Sequence, residues 1–170
     1  MAFQDKTKEI VKNLKRKYFY DEIPNWQGFF DEIKPNERTY PATDFYLEKE
    51  KYGNFLDEMT YLPAKLFMDS GITSIVIPKN VDEIENNCFQ NSNIEDCTIQ
   101  GPIKTIPSYC FKDCKNLIEL HLPETITKIE IGAFEGCNDN VKIYMKKTGK
   151  RISLPKKEYD FLINHLVEEV

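Results

Sequence analysis

The sequence predicts an α+β fold: a short parallel solenoid of about four repeats with a helical N-terminal cap and a C-terminal helix. Three observations predict it. One pattern recurs every 22 or 23 residues through the middle of the chain. Within each copy, apolar residues alternate with period two. Both ends carry apolar residues at helical spacing. The segments are 1–58, a mostly helical cap; 59–145, the repeats; and 146–170, a basic connector and an amphipathic helix.

In the first segment, Ile10, Val11, Leu14 and Tyr18 fall on one helical face, with Lys12, Lys15, Arg16 and Lys17 mostly opposite. Trp26, Phe29, Phe30 and Ile33 form a second stripe after Pro24. Pro35 and Pro41 punctuate a loop. Residues 43–58 suit an irregular strand and turn. A solenoid needs caps, because its end repeats otherwise expose core. The aromatic density here exceeds what a cap requires. Tyr18, Tyr20, Trp26 and Phe30 are therefore candidate partner-binding residues, since aromatics anchor interfaces.

The repeat is anchored on phenylalanine at Phe67, Phe89, Phe111 and Phe134. Five residues before each stand Leu62, Ile84, Ile106 and Ile129, and eight before stand Met59, Val81, Ile103 and Ile126. Leu66, Cys88, Cys110 and Ala133 precede the phenylalanines. Ser70, Ser92, Cys114 and Cys137 follow at the third position. An apolar triplet closes each copy: Ile72, Ile75, Ile77; Ile94, Cys97, Ile99; Leu117, Leu120, Leu122; and a shortened Val141, Ile143, Met145. One such unit cannot bury its own apolar face, but stacked units share a continuous core. The alternating triplet reads as a short strand, and successive strands stack in parallel at about 4.8 Å.

The five cysteines all occupy repeat columns. Each is expected to pack as a small buried hydrophobe. A metal site would need Cys110, Cys114 and His121 to converge. The repeat instead sends the two thiols into separate columns and His121 outward, so no metal ligand and no catalytic Cys–His pair is expected.

The strings "IKTIPSYCFKDCKNLIELHLP" and "ITKIEIGAFEGC", with "ITSIVIP" and "VDEIENNCF", resemble the BspA-like leucine-rich repeat family. The resemblance covers about half the chain. It implies a parallel leucine-rich-repeat solenoid with a strand-lined face that binds protein, and it brings no catalytic residues. Many relatives look like surface or secreted adhesins. This chain departs from them in showing no signal peptide and four repeats.

In the last segment, Tyr159, Leu162, Ile163, Leu166, Val167 and Val170 make one apolar stripe, and Pro155 suits a first helical turn. The stripe is expected to pack on the last repeat; the alternative is a homodimer through the C-terminal helix. His165 lies beside the stripe and reads as a helix-surface residue. Lys146, Lys147, Lys150, Arg151, Lys156 and Lys157 form a basic run, read as a solvated connector.

Composition bounds the function. The chain has 170 residues and net charge -5. Residues 61–145 hold seven Lys/Arg against twelve Asp/Glu. Direct nucleic-acid binding is not expected, because neutralising phosphates needs a basic excess. Charges every few residues in "MAFQDKTKEIVKNLKRKYFY" break any apolar run, so no signal peptide is visible, and no stretch approaches the roughly 20 apolar residues of a membrane span. An odd cysteine count suits reduced thiols. The expectation is a cytoplasmic protein.

Residues between the apolar positions of the triplet point away from the core. One outward column is Val76, Thr98, His121 and Tyr144. Its neighbour is Ser74, Asp96, Glu119 and Lys142, extended by Gln100 and Lys146. These columns are the candidate partner-binding face. Stacked aromatics and clustered arginines are missing, so single-stranded nucleic acid is a poor ligand. There is no Gly-rich phosphate loop, no H-E-x-x-H and no paired-histidine motif, so neither enzyme activity nor a cofactor is expected. The expected function is a non-enzymatic protein-interaction module with a protein partner. The alternative is a small intracellular inhibitor of an enzyme, such as a phage or mobile-element protein blocking a host defence nuclease.

Overall fold

The computed structural model describes residues 55–169. The expected N-terminal helices and the candidates Tyr18, Tyr20, Trp26 and Phe30 lie outside the described residues. Phe55–Glu58 form a 3-10 turn. From there the chain repeats one path: a short strand, a turn around the phenylalanine, and a longer strand. The short strands are β1 (Tyr61–Leu62), β3 (Glu83–Ile84), β5 (Thr105–Ile106) and β7 (Lys128–Ile129). The longer ones are β2 (Ser74–Ile77), β4 (Asp96–Ile99), β6 (Glu119–His121) and β8 (Lys142–Lys146). Helix α1 (Lys156–His165) and strand β9 (Leu166–Glu169) finish the chain.

The longer strands and β9 form one parallel sheet in the order β2-β4-β6-β8-β9. The register converts sequence period into columns: Ile75 pairs with Cys97, Cys97 with Leu120, Leu120 with Ile143. Alternation does the rest. In β2 the side chains run exposed, buried, exposed, buried, so Ile75 and Ile77 enter the core while Ser74 and Val76 leave it. The V-x-x-I and Phe columns supply the other wall. Phe67, Phe89 and Phe111 are fully buried. Their rings stack in series, with centroids 5.5 Å apart for Phe67 and Phe89, 5.3 Å for Phe89 and Phe111, and 6.2 Å for Phe111 and Phe134.

The short strands do not form one continuous ladder. They pair as β1-β3 and β5-β7, with a break between β3 and β5. Proline explains the break. The Glu85 and Glu130 N–H groups donate to Leu62 O and Ile106 O. Pro107 holds the equivalent position between them and has no N–H to give to Ile84.

Each turn wraps its phenylalanine between two residues in the left-handed region. Before it come Lys65, Asn87, Tyr109 and Gly132, and after it Asp69, Asn91, Asp113 and Gly136. The last turn uses glycine at both positions. Gly132 is required twice over, since φ is +70° and a Cβ there would lie 2.3 Å from the Tyr109 ring. Three main-chain hydrogen bonds close each junction between turns. At the third junction Tyr109, Phe111 and Asp113 donate to Ile131, Ala133 and Glu135 at 3.2, 2.8 and 2.7 Å.

The C-terminal segment departs from expectation. Helix α1 stops at His165, and Leu166 and Val167 lie in β9, paired with Ile143 and Tyr144 of β8. The unpaired edge of β8 needs main-chain partners, and that tertiary demand overrides the helical spacing of the stripe. The buried face also differs. Tyr159 and Ile163 are half exposed, whereas Glu158 and Leu162 are buried. Phe161 stacks on Phe134 at 5.3 Å and so extends the phenylalanine series. His165 is not a plain surface residue. Its ring stacks on Phe161 at 4.1 Å, Nδ1 lies 2.6 Å from Phe161 O, and Nε2 lies 3.0 Å from Asp139 O. With β9, the sheet has five strands where about four repeats were expected.

Candidate protein-binding surface

The outward columns fall where the period places them. Ser74, Asp96, Glu119 and Lys142 are in register across β2, β4, β6 and β8, and so are Val76, Thr98, His121 and Tyr144. On the first column Ser74 Oγ donates to Asp96 Oδ1 at 2.7 Å. Glu119 faces Lys142 across adjacent strands, an opposite-charge pairing of the kind worth roughly 0.2–1 kcal/mol. Val76 is an exposed apolar side chain at the other end of the face.

The second column has its own centre. The His121 and Tyr144 rings stack with centroids 4.5 Å apart and planes within 7°. Glu119 Oε2 lies 3.5 Å from His121 Nε2, and Glu169 Oε1 lies 3.8 Å from Nδ1. The imidazole is thus held by a ring on one face and a carboxylate near each nitrogen. Four side chains on three strands form a pre-organised, half-exposed patch of aromatic surface and negative charge. Glu169 is the member the sequence reading missed. Its stripe suggested helix, and the only sequence signal for a strand there is the apolar Leu166–Val167 pair.

The surface offers recognition chemistry, with hydroxyl, carboxylate, imidazole and phenol groups on one face. The five thiols are free and buried. Burial pushes the Cys114 thiol up to about 11 and raises Cys88, Cys97, Cys110 and Cys137 as well, so none is a reactive thiolate near neutral pH. Two of them bond across the turns. Cys114 Sγ donates to Phe89 O at 3.0 Å and Cys137 Sγ to Phe111 O at 2.9 Å, each reaching back one turn. Among the described residues no group of three or more His, Cys, Asp or Glu is placed to hold a metal ion. No described helix is long and apolar enough to cross a membrane. The basic run, Lys146, Lys147, Lys150, Arg151, Lys156 and Lys157, is exposed.

Comparison with known proteins adds one finding. No curated protein matches the chain, and no solved structure does. Residues 40–155 match the BspA type leucine rich repeat region, in six copies. The match begins before Met59, where the first of the four expected repeats starts. Leucine-rich repeat regions are generally protein-interaction modules and typically not enzymes. The matched span covers most of the 170 residues and includes every strand from β1 to β8. The chain belongs to the BspA-type leucine-rich repeat family.

Proposed function

We propose that this protein is a non-enzymatic binding module that recognises a protein partner through the exposed face of its long-strand sheet. The observation that carries this is the His121–Tyr144 stack flanked by Glu119 and Glu169. Such ordering on an exposed face contributes little to stability, and it lowers the entropy lost when a partner docks. Asp96, Thr98, Ser74, Val76 and Lys142 complete the surface. Five free, buried cysteines suit a reducing compartment, which supports a cytoplasmic setting.

The test joins a binding assay to a melting curve. Tagged protein is purified from its native host, and the captured partner is identified by mass spectrometry. A variant with His121→Ala, Glu119→Gln and Tyr144→Ala together should lose the partner while its melt stays unchanged. A variant that keeps full binding, with loss on changing Tyr18 or Tyr20 at unchanged stability, would move the site to the N-terminal segment. The same purification decides the inhibitor reading, which requires the captured partner to be an enzyme that loses activity when bound.

A further inference from the structure

The last phenylalanine turn is followed by α1 and β9, and its junction bonds are only partly replaced. Of the three N–H groups that donate forward in every earlier turn, Gly132 N–H reaches the Glu158 carboxylate, 2.6 Å from Oε1. The Phe134 and Gly136 N–H groups have no acceptor among the described residues. Glu158 is 5% exposed, and its Oε2 has no hydrogen-bond partner. These unpaired groups border one cleft of about 540 Å³ between α1 and the last turn. The rings of Tyr109, Phe134 and Phe161 form part of its wall. Its carboxylates are Glu135, Asp139 and Glu158, against the ammonium groups of Lys156 and Lys157.

We propose that this cleft binds a short extended segment of a partner protein. An Arg or Lys side chain of that segment approaches Glu158, and its main-chain carbonyls meet the Phe134 and Gly136 N–H groups. The preceding turns supply the template. At the equivalent position Ala133 O and Glu135 O, two residues apart, accept from Phe111 and Asp113. Those acceptors sit in a turn, and an extended segment also presents carbonyls two residues apart on one side, so it can meet the same pair by the logic of adding a strand to an open edge. A buried carboxylate oxygen without a donor is costly. A guanidinium or ammonium is the donor that also balances the excess of carboxylates, and the aromatic wall favours a cation over a neutral donor. The site uses turn and helix residues and is independent of the strand face.

The test is an NMR titration of ¹⁵N-labelled full-length protein with the capped tripeptide acetyl-Ala-Arg-Ala-amide and its citrulline counterpart. The arginine peptide should give saturable shifts at the Gly132, Phe134 and Gly136 amides and should bind at least tenfold more tightly than the citrulline peptide. Glu158→Gln should abolish that preference; should this variant not fold, the two peptides on the unaltered protein decide. Equal binding of both peptides, no saturable shift at these amides, or shifts confined to the strand face would overturn the proposal. So would shifts at the same amides that grow with protein concentration alone, because a second copy of the chain would then fill the cleft.

Discussion

The inner turns and the C-terminal end solve the same packing problem with different chemistry. Between inner turns, one phenylalanine ring covers the next, one strand pairs the next, and three main-chain carbonyls accept three N–H groups. After the fourth phenylalanine the described residues turn to a helix and β9, and each part finds a stand-in. Phe161 covers Phe134 from a helix, β9 pairs β8, and the Glu158 carboxylate takes the Gly132 N–H where a carbonyl belongs. A turn can therefore be replaced piece by piece, as long as ring, edge and acceptor are each supplied. The replacement is incomplete at Phe134 and Gly136, and the open cleft lies there.

The largest contrast is alkaline. All five thiols lie in the stacked repeats, Cys97 in β4 and the other four in the turns, and none lies in residues 146–170. Burial raises each above its ordinary value of 9.0, Cys114 to about 11. Between those values the unfolded chain has lost protons that the folded chain keeps, so stability falls as pH rises through 9. The loss reaches about 1.4 kcal/mol per thiol at pH 10. Denaturant melts from pH 7 to 10 should be level below pH 9 and drop steeply above it, and Cys114→Ser should reduce the drop. A level profile to pH 10 would show that the turns do not bury their thiols.

Next come the rings. Phe111→Ala should cost about 3–5 kcal/mol, the range for a buried aromatic. Phe161→Ala should cost about 1–2 kcal/mol, because its stand-in ring is only partly buried. Equal costs would mean that the helix is as much a part of the core as a repeat. Gly132→Ala should cost about 2–4 kcal/mol, from the left-handed φ and the Tyr109 ring together. Lys65→Gly, at the same column of the first turn, should change stability by less than about 1 kcal/mol. Urea melts of the pair test whether the last turn is the more tightly specified one. The smallest effects belong to the strand face: His121→Ala, Glu119→Gln and Tyr144→Phe should each stay within about 0.5 kcal/mol.

Legibility followed repetition. The phenylalanine series, the register of the long strands and both outward columns were readable, because four copies of each column average out local ambiguity. The break between β3 and β5 rests on one residue, Pro107, and was not read. The left-handed pairs flanking each phenylalanine were missed because Lys65 and Tyr109 hide a column that Asn87 and Gly132 announce. The cap was the least legible part. It occurs once, so nothing calibrates it, and Leu166–Glu169 carries helical spacing while β8 demands a strand. The thiols were read as plain packing groups. The hydrogen bonds of Cys114 and Cys137 to the Phe89 and Phe111 carbonyls are a second role that the repeat column does not announce.

Native-state hydrogen exchange at two glycines tests the central claim most directly. Gly132 and Gly136 have the same left-handed backbone in the same turn, and they differ in whether the cap supplies an acceptor. If α1 stands in for a missing turn, the Gly132 amide should be protected to nearly the level of Asn87 and Tyr109, its counterparts in inner turns, while Gly136 exchanges freely. Fast exchange at Gly132, or protection at Gly136 equal to that of Asp113, would contradict the account.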